Sequence, residues 1–152
     1  MTNRMIASLF EELADIMEIA GENQFKIRAY RNAGKAILNL GRNVAELNQR
    51  DLHEIPGIGD AIAEKIASAK EGGTFPTLEK WRQSDYAGFR PLLGVPDLTA
   101  RKLHRLIKDL HIKSMNELRA QIADGRLAEC RQIDSETMRR LGEYLWENDQ
   151  RQ

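Results

Sequence analysis

Pro56, Gly57, Ile58 and Gly59 stand in "EIPGIGDAIAEKI" (54–66), two glycines one residue apart ahead of an Ala/Ile/Lys run that reads as a helix. Glycine accepts backbone angles that other residues resist and leaves no side chain in the way. A helix that begins just after such a bend offers unpaired amides and the positive end of its dipole. With Ile58 tucked inward as an anchor, the turn becomes a small nest for a phosphate oxygen, a contact that reads no base. An ordinary helix–helix turn is the other reading of the same four residues. Lys65 follows in the same helix, and on its own reads as a lysine on a solvated face.

Charge is distributed in a way the total hides. Lys and Arg number 23, as do Asp and Glu, yet between Glu22 and Arg50 six basic residues face two glutamates. Between Arg101 and Met115 five basic residues face one aspartate. In the first of these stretches Arg28, Arg31, Lys35 and Arg42 fall on one side of a helix at about 100° per residue. Neutral overall charge therefore conceals two basic faces of the kind that meet nucleic acid. His53, His104, His111 and Cys130 have no zinc-ligand spacing.

The elements that must position these residues are helices. Ile6, Leu9, Phe10, Leu13, Ile16 and Met17 keep helical spacing up to Gly21. Ile27, Tyr30, Ala33, Ile37 and Leu40 give the inward face of a second helix, expected over 24–40. The helix after the glycines runs from Gly59 to about Glu71, and Pro76 suits the first turn of the next. Residues 82–94 are expected to join two lobes. Leu103, Leu106, Ile107 and Leu110 mark the core face of a helix whose other face carries Arg101, Arg105 and Lys108. Ser114 with Glu117 predicts a capping box. "DGRL" (124–127) predicts a turn, and Ser135 is expected to cap a last helix. The class is all-α, built as two small helical lobes. The 152 residues suffice for such a core, and one cysteine forms no internal disulfide. No apolar run reaches membrane-spanning length, so the expectation is a cytoplasmic protein without a membrane partner.

"FEELADIMEIAGENQFKIRAYRNAGKAI" followed by "IPGIGDAIAEKI" closely resembles the amino-terminal region of bacterial family X DNA polymerases, relatives of DNA polymerase β. The resemblance implies a lyase-type helix-hairpin-helix domain over 1–81. It also implies a fingers-like domain over 88–147, through "LLGVPDLTARKLHRLIKDLHIKSMNELRAQIADGRL", with a frayed tail at 148–152. The palm has no counterpart and Asp-x-Asp does not occur, so a polymerase by itself is not expected. By resemblance, Lys65 corresponds to a lysine that attacks the sugar of a broken abasic site as Schiff-base nucleophile. Lys26 and Tyr30 match positions that hold the 5′ phosphate, with Arg31 and Lys35 nearby. Other basic positions of that pocket are replaced by Phe25 and Ala61, Asp60 adds a repelling charge, and a basic residue near Thr77 is missing.

The later hairpins depart further from the family. Asp97 and Thr99 stand where the family has glycines, and "CRQIDSET" lacks the glycine of a third turn. The resemblance also implies main-chain carbonyls of His53, Ile55 and Ile58 holding a sodium or potassium ion. The expected function is a DNA-binding module that grips the sugar-phosphate backbone of gapped or nicked duplex in repair, through Gly57, Ile58, Gly59, Lys26, Arg28, Tyr30, Arg31 and Lys35. One alternative is a 5′-deoxyribose phosphate lyase acting through Lys65. Another is a helical protein-interaction module for a second repair protein.

Overall fold

An apolar stripe with helical spacing builds α1, Asn3–Ala20, and sends Ile6, Phe10, Leu13, Ile16 and Met17 into the core. The computed structural model describes residues 1–123 and 133–150, and among them all regular structure is helical. The described chain divides into two compact units. One comprises Met1–Met17 and Glu22–Gln83, the other Glu18–Gly21 and the chain from Ser84 onward.

In the first unit, α2 covers Gln24–Leu38, with the Asn23 side chain accepting from the Phe25 and Lys26 amides at its start. It ends before the expected Leu40. Asn39 is the C-cap, its amide bonding to the Lys35 carbonyl at 3.0 Å, and Leu38 is left mostly exposed. A 3₁₀ turn at Val44–Glu46 leads to α3, Gln49–His53. Five residues carry less than one hydrophobic repeat, so periodicity does not announce this helix; its mark is Asn48, which caps the Asp51 amide at 2.9 Å. Next come α4, Asp60–Gly72, and α5, Pro76–Arg82, with proline in the first turn.

Phe10 is the centre of this unit's aromatic core. Its ring stacks on Phe75 at 5.2 Å and on Tyr30 at 6.2 Å, which brings α1, α2 and the start of α5 together. Burying one such ring contributes about 2 kcal/mol. Arg82 clamps α5 to α1: Nη2 donates to Glu12 Oε1 at 2.9 Å and Nη1 to Glu79 at 2.7 Å. Hydrogen bonding to Glu12 holds this guanidinium above its ordinary pKa.

The second unit opens with a 3₁₀ helix at Ala87–Gly94. Residues 84–94 belong to the second core, where Phe89 and Leu92 are fully buried, and the division between the units at Gln83 and Ser84 falls within the expected 82–94 junction. Helices α6 (Ala100–Leu110), α7 (Met115–Ala123) and α8 (Ser135–Gln150) complete it. Leu103, Leu106, Leu118 and Leu141 meet at its centre. The cap of α8 is Asp134, one residue before the expected Ser135, with its carboxylate accepting from the Thr137 amide at 3.0 Å. At α7, Ser114 accepts from the Glu117 amide as expected, while the Glu117 carboxylate reaches back to the amide of Lys113. "DGRL", Cys130 and the start of "CRQIDSET" lie outside the described residues. Among the described residues, no helix is long and apolar enough to cross a membrane.

Gly21 shows why one residue type fits the end of α1. Its φ is +79°, and the Gly21 and Glu22 amides return to the Glu18 and Met17 carbonyls at 3.1 and 2.9 Å. A Cβ there would lie 2.5 Å from the His104 ring, whose Nδ1 is 2.9 Å from the Ile19 carbonyl oxygen. Gly21→Ala is expected to cost about 2 kcal/mol in urea unfolding from the left-handed backbone alone. Adding His104→Ala should remove the steric part of any further loss and leave that backbone part.

Candidate nucleic-acid interface

The first hairpin joins α3 to α4. Ile55 and Ile58 point inward, at 9% and 3% exposure, and hold the bend against the core, while Pro56, Gly57 and Gly59 remain at the surface. The two glycines have different reasons to be glycine. Gly57 has φ +92° and passes over α2, so that a Cβ would sit 3.8 Å from Ala36; the conformation demands glycine there. Gly59 has φ −91°, which any residue adopts, and a Cβ would meet nothing within 4 Å. What Gly59 contributes is the absence of a side chain over the start of α4.

That absence matters because Gly59 is the N-cap and provides no side-chain cap. The first amides of α4 have no partner inside their own helix. The Gly57 and Gly59 amides also take no backbone acceptor among the described residues. The expectation of a wholly bare turn needs one correction: the Ile58 amide is occupied, donating to the Ile55 carbonyl at 3.0 Å. The nest consists of the amides on either side of it. Asp60, in the first turn of α4, is exposed and turns its carboxylate to His53 Nδ1, 3.0 Å away. It places a negative charge beside the nest, as its identity suggested.

Forty residues on, Val95–Thr99 repeats the turn. Leu98 donates to the Val95 carbonyl at 3.1 Å, both side chains are 2% exposed, and Asp97 takes φ 67° in the place of Gly57. The bend thus survives without glycine, Asp being one of the few residues that tolerate it. Its anion-accepting surface is altered. Thr99 Oγ1 accepts from the Lys102 amide at 3.2 Å, capping α6 from within, and the Asp97 carboxylate pairs with Arg140 at 3.0 Å.

Along α2, Lys26, Arg28 and Lys35 are exposed. Arg31 is not part of that open stripe: its guanidinium binds Glu11 and Asp15 of α1, each at 3.1 Å, and its charge is neutralised within the fold. Nothing in the local sequence distinguishes it from Arg28, since the carboxylates that claim it come from another helix. Tyr30 is half-buried against Phe10, and burial raises its phenol above the ordinary value, with Lys26 acting in opposition.

Lys65 extends over the same ring, its Nζ 5.7 Å from the Tyr30 centroid. It lines a shallow cleft of about 180 Å³ together with Ala61, Ser68, Phe75 and Thr77. Ala61 and Ser68 are small and leave room beside it. Phe75, its aromatic wall, carries no functional mark in the sequence and reads only as a core residue ahead of Pro76. The structure therefore brings Lys65 to Tyr30, and Lys26 is near enough to act on the same phenol. Among the described residues, no cluster of His, Cys, Asp and Glu could hold a metal.

Comparison with known proteins agrees with this geometry. A helix-hairpin-helix domain family matches residues 1–75, and a SAM-like helix-hairpin-helix tandem family matches 49–113, a span that includes both turns. The chain is 31% identical over 119 residues to DNA polymerase/3′-5′ exonuclease PolX of Bacillus subtilis (strain 168). The match covers 78% of this chain and 20% of that relative.

The separation of Arg31 from the open stripe has a measurable consequence. Arg31→Met should lower the free energy of unfolding by about 1 kcal/mol, because two partly sheltered carboxylates lose their partner. Lys35→Met should change it by less than about 0.5 kcal/mol. Urea titrations of the two variants check the difference.

Proposed function

From a chain that carries the tandem helix-hairpin-helix fold of the amino-terminal region of family X DNA polymerases, we propose a module that grips the DNA sugar-phosphate backbone without reading sequence, at gapped or nicked duplex during repair. The observation that carries the reading is the uncapped, unobstructed start of α4 beside a turn with free glycine amides. A phosphate oxygen would accept from those amides and meet the positive end of the helix dipole. Lys26, Arg28 and Lys35 add charge that attracts any strand alike, and Tyr30 shapes the surface between Lys26 and Lys65.

A sodium or potassium ion would lie against the main-chain carbonyls of His53, Ile55 and Ile58. Ile55 already accepts the Ile58 amide, but a carbonyl oxygen has two lone pairs and keeps one for such an ion. The hairpin at Val95–Thr99 takes no comparable part, its helix start being capped by Thr99 and its turn carrying Asp97.

The two glycines give a test that separates grip from fold. Gly59→Asp should leave stability unchanged or raised, since aspartate is a favourable N-cap at a permitted φ. The same change should weaken binding to gapped duplex of every sequence by roughly tenfold or more, because a carboxylate then occupies the amides. Binding of the wild type should fall steeply with salt, and the slope of log K against log salt should shrink by about one in Lys35→Gln. Salt-independent binding, or full affinity in a folded Gly59→Asp, would count against backbone contact.

A second reading is favoured by the position of Lys65 in its cleft over Tyr30. Its amine would condense with the C1′ aldehyde of a ring-opened 5′ sugar, losing water to give a Schiff base. Loss of the C2′ proton would then expel the phosphate at C3′ by β-elimination. Borohydride should trap wild type on DNA bearing a 5′ abasic sugar phosphate, and Lys65→Ala should give no adduct. If Lys65→Ala is trapped as well, another amine is responsible; if wild type gives no adduct, the protein binds without cutting.

A further inference from the structure

We propose that the second unit holds a separate binding site for an aromatic ring carrying a phosphate, a ligand of mononucleotide type. The site is a cleft of about 420 Å³ at the end of α6, lined by Tyr86 and Phe89 and by the turn after α6. That volume lies within the range of small-molecule pockets, about 300–1,000 Å³. It is more than twice the volume of the cleft at Lys65 and uses none of the same residues.

Its floor and rim differ in chemistry. Phe89, Ile107 and Ile112, all nearly or fully buried, give an apolar floor. Tyr86 adds a half-buried aromatic wall on which a flat ring can lie. Lys108 and Lys113 stand exposed at the rim, and neither ammonium meets a carboxylate among the described residues. By contrast, Arg139 and Arg140 in the same unit are both paired with carboxylates. Asp85 is the one carboxylate in the lining, so the rim has an excess of positive charge. An apolar ring with an anionic group matches that division; a neutral ring leaves both ammonium groups without a partner, and phosphate alone leaves the floor wet.

Two further features fix the imidazoles of the lining. His104 is held by its hydrogen bond to the Ile19 carbonyl, with Gly21 pressed against the ring. Nδ1 must donate in that bond, because a carbonyl oxygen can only accept. His111 occupies the left-handed C-cap of α6, φ 53° and ψ 42°, where glycine would be free of strain. A histidine there places an imidazole at the mouth at a cost that glycine would avoid.

The test is an NMR titration of the full chain with adenosine monophosphate, adenosine, inorganic phosphate and a 5′-phosphorylated single-stranded oligonucleotide. Adenosine monophosphate should move the Tyr86, His104 and His111 resonances at concentrations at least about tenfold below those needed with adenosine or phosphate alone. The double variant Lys108→Gln, Lys113→Gln should raise the apparent Kd about tenfold while the resonances of the Gly57–Gly59 turn remain where they were. Stronger shifts with the oligonucleotide than with the mononucleotide would make the occupant a strand end; equal shifts would make it a free nucleotide. Unmoved resonances at millimolar adenosine monophosphate, or undiminished binding by the double variant, would overturn the site.

Discussion

The start of α4 combines two conditions that rarely coexist: helix amides without internal acceptors, and no side chain supplied to satisfy them. Apart from α5, whose N-cap is the buried Phe75 and whose first residue is proline, the other α-helices among the described residues start with a side-chain cap. Asn23, Asn48, Thr99 and Asp134 each offer an oxygen to an amide in the first turn of a helix. Only water or an anion from outside can complete the corresponding turn at Gly59. Leaving a cap vacant costs little when the position is glycine and the amides are wet. The surroundings keep that start open. Ile55 and Ile58 anchor the bend from inside, Gly57 makes it tight, and α2 passes close beneath.

The comparison of the two turns separates what makes a hairpin from what makes it a receptor. The bend itself requires a buried apolar pair, one residue in the left-handed region and a hydrogen bond across the turn. Val95, Asp97 and Leu98 meet all three conditions without a glycine. Reception requires something else, a helix start that no side chain caps. Thr99 removes that, and the Asp97 carboxylate finds a partner in Arg140 of α8. A carboxylate thus takes up, within the protein, a cation that could have faced a phosphate. Geometry is preserved and chemistry is redirected.

How much of this was legible depends on the range of each interaction. Local rules were enough for the longer helices and for the positions of Gly21 and Gly57, because each follows from a few neighbouring residues. α3 escaped because five residues hold too little periodicity, and the 3₁₀ helix at Ala87–Gly94 escaped because a proline-containing 3₁₀ helix has no helical repeat to detect. The fate of Arg31 could not be read at all. It shares a face with Arg28 and Lys35, yet Glu11 and Asp15 reach it from α1 across a tertiary contact. The Ile58 amide is a subtler case, since its acceptor lies only three residues back and closes the turn that makes the neighbouring amides available.

The position of Lys65 follows from the same packing that builds the core. Phe10 stacks on both Phe75 and Tyr30, so the ring beneath the ammonium and the wall of its cleft are fixed by one buried side chain. An ammonium over an aromatic face is attracted there by the ring's quadrupole. A nucleophilic lysine has the opposite requirement, a share of neutral amine. Binding a phosphate and attacking a sugar therefore make conflicting demands on this one residue. Lys26 is near enough to act on Tyr30, while Ala61 brings no second charge to the cleft. The open start of α4 carries backbone contact without any such conflict, which is the physical reason for placing backbone binding ahead of sugar chemistry.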